Sequence, residues 1–70
     1  MTFENYLRKE NLAEHTISVY LWTVDYFNNN YGVLTKENIL AYKGYLLEYF
    51  KPKTVNLRIQ AINKYLDFKG

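Results

Sequence analysis

The pattern of apolar and polar residues predicts four helices that are separated by short loops. Apolar residues recur every three or four positions in four segments, about Thr2–Glu10, Glu14–Asn28, Lys36–Phe50 and Lys51–Gly70. This spacing is typical of helices with one buried face. No alternating apolar–polar run stands beside a tight turn, so no β-strand is predicted. We therefore predict an all-α fold, a compact bundle of four short amphipathic helices.

Residues that favour helix ends mark the boundaries of these segments. Thr2 and Thr35 are suited to cap the first and third helices, because a threonine oxygen accepts a hydrogen bond from a backbone N–H. Pro52 suits the first position of the fourth helix, where its missing N–H would have no partner. Gly32 follows three asparagines, and both residue types favour the conformations in which helices end.

Each helix contributes one apolar stripe to the predicted core. The stripes are Phe3, Tyr6 and Leu7; Ile17, Tyr20, Leu21, Val24 and Phe27; Ile39, Tyr42, Leu46 and Phe50; and Val55, Ile59, Ile62 and Leu66. We expect Leu40 and Leu47 to widen the third stripe, while Gly44 either weakens that helix or allows close packing. Large aromatic side chains suit a core that only 70 residues must form.

A second, outward sector of the second helix contains His15, Val19, Trp22 and Tyr26. This sector is more apolar than the solvated face of a helix should be. An exposed apolar patch usually marks the binding site of a partner. The alternative function is therefore protein–protein interaction through the Val19, Trp22 and Tyr26 face.

Charge is distributed unevenly along the chain. Residues 1–35 have a net charge of −2 and residues 36–70 a net charge of +4, so the total is +2. A basic half indicates an anionic partner, most often nucleic acid, although a solvated lysine-rich surface has the same composition. There is no apolar run of membrane-spanning length, no signal-peptide pattern and no cysteine. We expect one domain with no membrane partner, and the absence of cysteine is compatible with a reducing compartment without establishing it.

The sequence contains few of the groups that catalysis requires. His15 is the only histidine, and the seven acidic residues are scattered along the chain. An acid–base pair, a nucleophile with its base and a metal site each need converging side chains, and no glycine-rich phosphate loop is present. We therefore expect a binding domain without a cofactor or a metal ion, and not an enzyme.

The starts of two helices supply the cationic and polar groups that DNA binding needs. These residues are His15, Thr16 and Ser18 in the second helix and Lys53, Thr54, Asn56 and Arg58 in the fourth. A helix N-terminus also presents unpaired N–H groups to a phosphate. Thr16 and Thr54 are equally well explained as ordinary helix-start residues.

Three stretches carry a resemblance to a known family. They read LAEHTIxxY at 12–20, LTxxNI at 34–39 and KTVNxRIxAIxxY at 53–65. Their order and spacing resemble the N-terminal core-binding, SAM-like domain of tyrosine recombinases, the phage-integrase family. The resemblance covers nearly the whole chain, and its motifs consist mainly of small and apolar residues.

The resemblance implies a DNA-binding module, residues 1–70, that helps a following catalytic domain to clamp duplex DNA at a recombination site. It implies that the second and fourth helices face the major groove. The residues that it places against DNA are His15, Thr16, Val19, Thr23, Lys53, Thr54, Asn56, Arg58 and Lys64. Val19 departs from the family, which often has a polar residue there; it would either contact a thymine methyl group or make no contact with DNA. Ala13 stands where the family often has a serine cap.

The catalytic signature of the family is two arginines, a lysine, a His-x-x-Arg pair and a tyrosine nucleophile, and no His-x-x-Arg occurs here. We therefore expect this chain to be part of a longer recombinase, with its last residues beginning a linker. The resemblance further implies a cytoplasmic protein of bacterial or phage origin. It also implies a module that is monomeric alone and that contacts other protomers when it is bound to DNA.

Overall fold

Four helices make up most of the computed structural model, which describes all 70 residues. They are α1 (Phe3–Lys9), α2 (Glu14–Asn30), α3 (Lys36–Tyr49) and α4 (Pro52–Lys69). No strand is present. The radius of gyration is 11.7 Å, close to the value of about 11 Å for a folded chain of this length. The predicted all-α bundle of four helices is therefore confirmed.

Two of the four helices have a side-chain cap at their N-terminus, and these are the two that the sequence predicts. The Thr2 Oγ1 accepts a hydrogen bond from the Asn5 backbone N–H at 3.1 Å, and the Thr35 Oγ1 accepts one from the Asn38 N–H at the same distance. α2 and α4 start after Ala13 and Lys51 without a side-chain cap. Their first N–H groups therefore remain available to solvent or to a ligand.

The turn between α2 and α3 is organised by side-chain amides. α2 continues to Asn30, two residues beyond the predicted end, and the Asn30 amide donates a hydrogen bond to the Tyr26 carbonyl. Gly32 adopts a φ of +79°, which glycine tolerates because it has no Cβ. The Asn38 amide then donates to the carbonyls of Tyr31 and Val33, at 3.0 and 2.8 Å. This one side chain therefore fixes the turn relative to α3.

Two hydrophobic clusters form the core, and α2 and α4 contribute to both. The first consists of Phe3, Leu7, Ile17, Tyr20, Val24 and Ala61. The second consists of Phe27, Tyr42, Leu46, Val55 and Ile62. The first cluster therefore joins α1 to the α2–α4 pair, and the second joins α3 to the same pair.

α2 and α4 run in roughly opposite directions. The Tyr20 hydroxyl donates a hydrogen bond to the Gln60 side-chain oxygen at 3.3 Å. Two residues further along α2, Trp22 contacts Arg58, which stands two residues earlier in α4. The starts of these two helices therefore lie toward opposite ends of their contact.

The structure corrects three assignments to the core. Leu40 and Leu47 are 56% and 62% exposed. They lie on the side of α3 that faces away from α4, so no element covers them. Leu66 is also exposed, because the buried face of α4 is turned toward Ala61. Thr23 is buried, so the buried face of α2 is likewise rotated about the helix axis relative to the predicted stripe.

Tyr42 offers a test of core energetics, because its ring is fully buried and its hydroxyl has no hydrogen-bond partner. An unpaired buried hydroxyl costs about 1–3 kcal/mol. We expect Tyr42→Phe to leave the free energy of unfolding unchanged or to raise it by about 1 kcal/mol, as measured by urea denaturation. Leu46→Ala, a control that opens a cavity, should lower it by about 2–5 kcal/mol. A clear loss of stability in Tyr42→Phe would contradict this description.

Candidate functional site

The nine residues that the sequence places against DNA divide among separate parts of the surface. His15, Val19 and Arg58 lie together between α2 and α4. Lys53 and Asn56 lie on another side of α4. The other four residues belong to neither group. They are Thr16, Thr23, Thr54 and Lys64.

An open groove of about 340 Å³ runs between α2 and the first half of α4. It is lined by His15, Ser18, Val19, Trp22 and Arg58. The α2 residues share one side of the helix, since His15 and Val19 are four positions apart, as are Ser18 and Trp22. The groove therefore combines a cation, a hydroxyl, an imidazole and apolar surface.

The Arg58 guanidinium is held between two aromatic rings. Its central carbon lies 4.5 Å from the centroid of the Trp22 ring and 5.0 Å from that of Phe50. Contacts of this kind are worth about 0.5–2 kcal/mol each. Helix side chains lean toward the N-terminus, which explains why the guanidinium of Arg58 reaches Phe50, a residue that precedes α4.

No carboxylate neutralises Arg58, since the three ion pairs of the protein involve other residues. The buried Tyr42 hydroxyl also has no hydrogen-bond partner. Burial raises the pKa of that phenol, and the nearby Arg58 charge offsets part of the rise without a well-formed hydrogen bond between the two. The Arg58 guanidinium therefore has no charged partner within the protein.

A second groove lies along α4, lined by Lys53, Asn56, Leu57 and Gln60. Residues 56 and 58 point in directions about 160° apart, because successive helix residues are rotated by about 100°. Asn56 and Arg58 are therefore on nearly opposite sides of α4. Only at the start of the helix can both sides approach the same ligand.

The start of α4 is the more electropositive of the two uncapped helix starts. Lys51 and Lys53 flank Pro52, and the first turn contains no acidic residue. The N-terminal end of a helix also bears a partial positive charge from its backbone dipoles. The start of α2, in contrast, contains Glu14. The two helix starts that look alike in the sequence therefore differ in charge.

The charged residues around the start of α2 form ion pairs with one another. Arg8 donates hydrogen bonds to the carboxylates of Glu4 and Glu14. The Arg8 guanidinium holds the pKa of the Glu14 carboxyl below its usual range. Lys64 donates to Glu10, and this hydrogen bond raises the pKa of the lysine. Lys64 is thus engaged within the protein and stands apart from Lys53.

Thr23 is the clearest correction to the predicted site. Its side chain is fully buried, and its hydroxyl donates a hydrogen bond to the Val19 carbonyl at 2.7 Å. It cannot contact a ligand, because the rotation of α2 turns it into the core. Thr16 and Thr54 are only partly exposed, and neither caps its helix.

Trp22 and Arg58 contact each other, although the sequence interpretation assigned them to two different functions. Trp22 is 52% exposed, so the apolar sector of α2 does reach the surface. The signal for the contact lies in the spacing of α4. Arg58 follows Val55 by three residues and precedes Ile62 by four, and these two neighbours are buried. Arg58 therefore points toward α2 and not away from the bundle.

No protein-family model, curated protein or solved structure gives a significant match to this chain. The likeness to the recombinase domain therefore stays a hypothesis based on residue pattern. No three histidine, cysteine or acidic side chains converge in a way that could hold a metal ion. None of the helices combines the length and the hydrophobicity that crossing a bilayer requires.

The aromatic contacts of Arg58 can be tested with Trp22, which is the only tryptophan. We expect Arg58→Ala to shift the Trp22 emission and to lower the free energy of unfolding by about 1 kcal/mol or more, because two ring contacts are lost. Fluorescence spectra and urea denaturation measure the two effects. Lys53→Ala, which also removes one cation from α4, should change neither. Identical emission in both variants would refute the contact.

The Arg8–Glu14 pair predicts a pH dependence of stability. A lowered carboxyl pKa stabilises the folded state above the ordinary glutamate value of about 4.3, and this contribution is lost as pH falls through the lowered value. We expect acidification to destabilise the native protein more than it destabilises the Glu14→Gln variant. The free energies of unfolding of the two proteins should converge at low pH. Urea denaturation as a function of pH measures this difference. Glu48→Gln, which removes an unpaired carboxylate, should follow the native curve.

Proposed function

We propose that this protein is a DNA-binding module of a site-specific tyrosine recombinase, and that the start of α4 and the adjoining face of α2 contact duplex DNA. The observation that carries the proposal is the Arg58 guanidinium. It is fixed by two aromatic rings, has no acidic partner and lies close to the cationic start of α4. A fixed and unneutralised guanidinium suits a phosphate or a guanine edge.

The start of α4 provides the complementary phosphate contacts. Lys51 and Lys53 add two exposed cations, and the uncapped backbone adds N–H donors. Such contacts position a protein on DNA and make its affinity depend on salt. A module with so few cations should bind weakly by itself.

The face of α2 adds polar and apolar groups beside Arg58. His15 and Ser18 can hydrogen-bond to phosphates or base edges, and Val19 offers methyl groups to a thymine. Lys64 and Thr23 have no part in this proposal, because one is paired with Glu10 and the other is buried. The proposed surface thus differs from the predicted one, because it excludes these two residues and includes Ser18 and Lys51. It comprises His15, Thr16, Ser18, Val19, Lys51, Lys53, Thr54, Asn56 and Arg58.

A titration with labelled duplex DNA tests the proposal. We expect amide NMR shifts and a change in Trp22 emission at the α2–α4 groove and the start of α4. Lys53→Ala should weaken binding at low salt and reduce the slope of log K against log salt by about 0.9. Lys9→Ala is the matched control, because Lys9 is an exposed cation on α1 that makes no ion pair.

Equal losses of DNA affinity in the Lys53 and Lys9 variants would show that the interaction depends only on net charge. Shifts that lie outside residues 15–22 and 51–58 would contradict the placement of the surface. The absence of any shift at near-physiological salt would favour a helical bundle without a DNA ligand.

Protein–protein interaction through Val19, Trp22 and Tyr26 is the second candidate function. It is favoured by the exposure of Trp22, whose ring stacks on that of Tyr26 at a centroid distance of 5.4 Å. Trp22→Ala, studied by analytical ultracentrifugation with and without DNA, separates the two functions. A protein interface predicts that self-association weakens in both conditions, whereas a DNA surface predicts a change only when DNA is present.

A further inference from the structure

Four aromatic side chains form a continuous row across the surfaces of α2 and α3. This aromatic strip consists of Trp22, Tyr26, Tyr45 and Tyr49. Neighbouring ring centroids along it lie 5.4, 6.3 and 5.2 Å apart. Trp22 and Tyr49, at its two ends, are 52% and 67% exposed, and the two central side chains are partly exposed. The fold therefore leaves a row of aromatic rings in contact with solvent.

The first three rings of the strip have nearly parallel planes. The interplanar angle is 24° between Trp22 and Tyr26 and 16° between Tyr26 and Tyr45. Parallel rings with centroids this far apart are offset, so each ring covers only part of the face of its neighbour. Flat aromatic faces are the surfaces on which nucleobases stack. The strip therefore suits a ligand that presents several planar groups in succession.

Cations border the strip at the corner between α3 and α4. The Phe50 ring connects the two, since its centroid lies 5.9 Å from that of Tyr45 and 5.0 Å from the central carbon of the Arg58 guanidinium. Arg58 also contacts Trp22, and Lys51 follows Phe50 directly in the chain. Neither of these cations forms an ion pair within the protein. Positive charge without a carboxylate partner therefore lies beside the aromatic rings.

The acidic residues beside the strip are turned to one side of it. Asp25 and Glu48 directly precede Tyr26 and Tyr49, and consecutive residues of a helix point about 100° apart. Neither carboxylate pairs with Arg58. A proline-rich peptide also docks on aromatic rings, but it has no negative charge to match these cations. Rings beside unneutralised cations therefore favour a polyanion that contains planar groups.

We propose that the aromatic strip binds single-stranded DNA, whose unpaired bases stack on the rings while Arg58 and Lys51 contact its phosphates. The inference rests on the proposed function only for the choice of DNA as the nucleic acid, and the two surfaces share these two cations. Duplex DNA cannot use the strip in this way, because its bases are already stacked inside the helix. Recognition by stacking is tolerant of sequence, since every base has a flat face.

An abasic strand separates stacking from charge, because it has the phosphates of a normal strand and no bases. Trp22 emission and NMR signals of the tyrosine rings should show that oligothymidine of about twelve nucleotides binds more tightly than an abasic strand of equal length. Tyr49→Ala should weaken oligothymidine binding by about fivefold or more, because one stacking contact is lost. Tyr49→Phe keeps the ring and should bind like the native protein.

Leu47→Ala is the matched control, because Leu47 is an exposed apolar residue of the same helix that lies outside the strip. It should leave oligothymidine binding unchanged. The dependence on salt distinguishes the two kinds of contact. Lys51→Ala should reduce the slope of log K against log salt by about 0.7, whereas Tyr49→Ala should lower the affinity without changing the slope. Thermal denaturation checks that the variants are folded.

Equal affinity of the native protein for oligothymidine and for the abasic strand would overturn the proposal. Unchanged oligothymidine binding by Tyr49→Ala would overturn it as well. A proline-rich peptide that perturbs the rings of the strip, when oligothymidine does not, would replace DNA by a protein ligand.

Duplex DNA distinguishes a failure of this proposal from a failure of the proposed function. Tyr49→Ala should leave duplex affinity unchanged, because Tyr49 lies outside the proposed duplex surface. A native protein that binds the duplex but not oligothymidine would contradict the strip alone. Binding of oligothymidine without binding of the duplex would support the strip and contradict the proposed duplex surface.

Discussion

The contact between α2 and α4 is the interaction on which the rest of this protein depends. Both hydrophobic clusters contain residues of these two helices, whereas α1 takes part in one cluster and α3 in the other. Only 12 of the 70 residues are buried, so little apolar area is available to replace a lost contact. The same contact also forms the groove that contains Trp22 and Arg58. Stability and candidate function therefore rest on one pair of helices.

Much of the fold follows from local features of the sequence. Thr2 and Thr35 cap their helices as predicted, and Pro52 begins α4, because caps and prolines act through a few neighbouring backbone groups. The rotation of each helix about its axis could not be obtained in this way. Leu40 looks as suited to a core as Leu46, and which of them is buried depends on where the neighbouring helix lies.

The candidate site was also predictable only in part, because the sequence shows local features and does not show how the helices pack. The cationic start of α4 is visible in the sequence, because it requires only that charges be close along the chain. The pairing of Lys64 with Glu10 joins residues 54 positions apart, and no local pattern indicates it. Arg58 lies between these cases, since its spacing from Val55 and Ile62 indicates its direction but not the rings that it contacts. Residue type thus indicated the chemistry, and packing decided which groups remain free to use it.

Gly44 has a consequence for how this protein can change by mutation. Glycine within a helix costs about 1 kcal/mol relative to alanine, and a methyl group at this position would meet no other atom. Alanine at this one site would therefore raise the stability of a chain whose small core leaves it little margin. Because the site lies away from the α2–α4 groove, the stability of the fold can change by mutation at Gly44 without altering the groove.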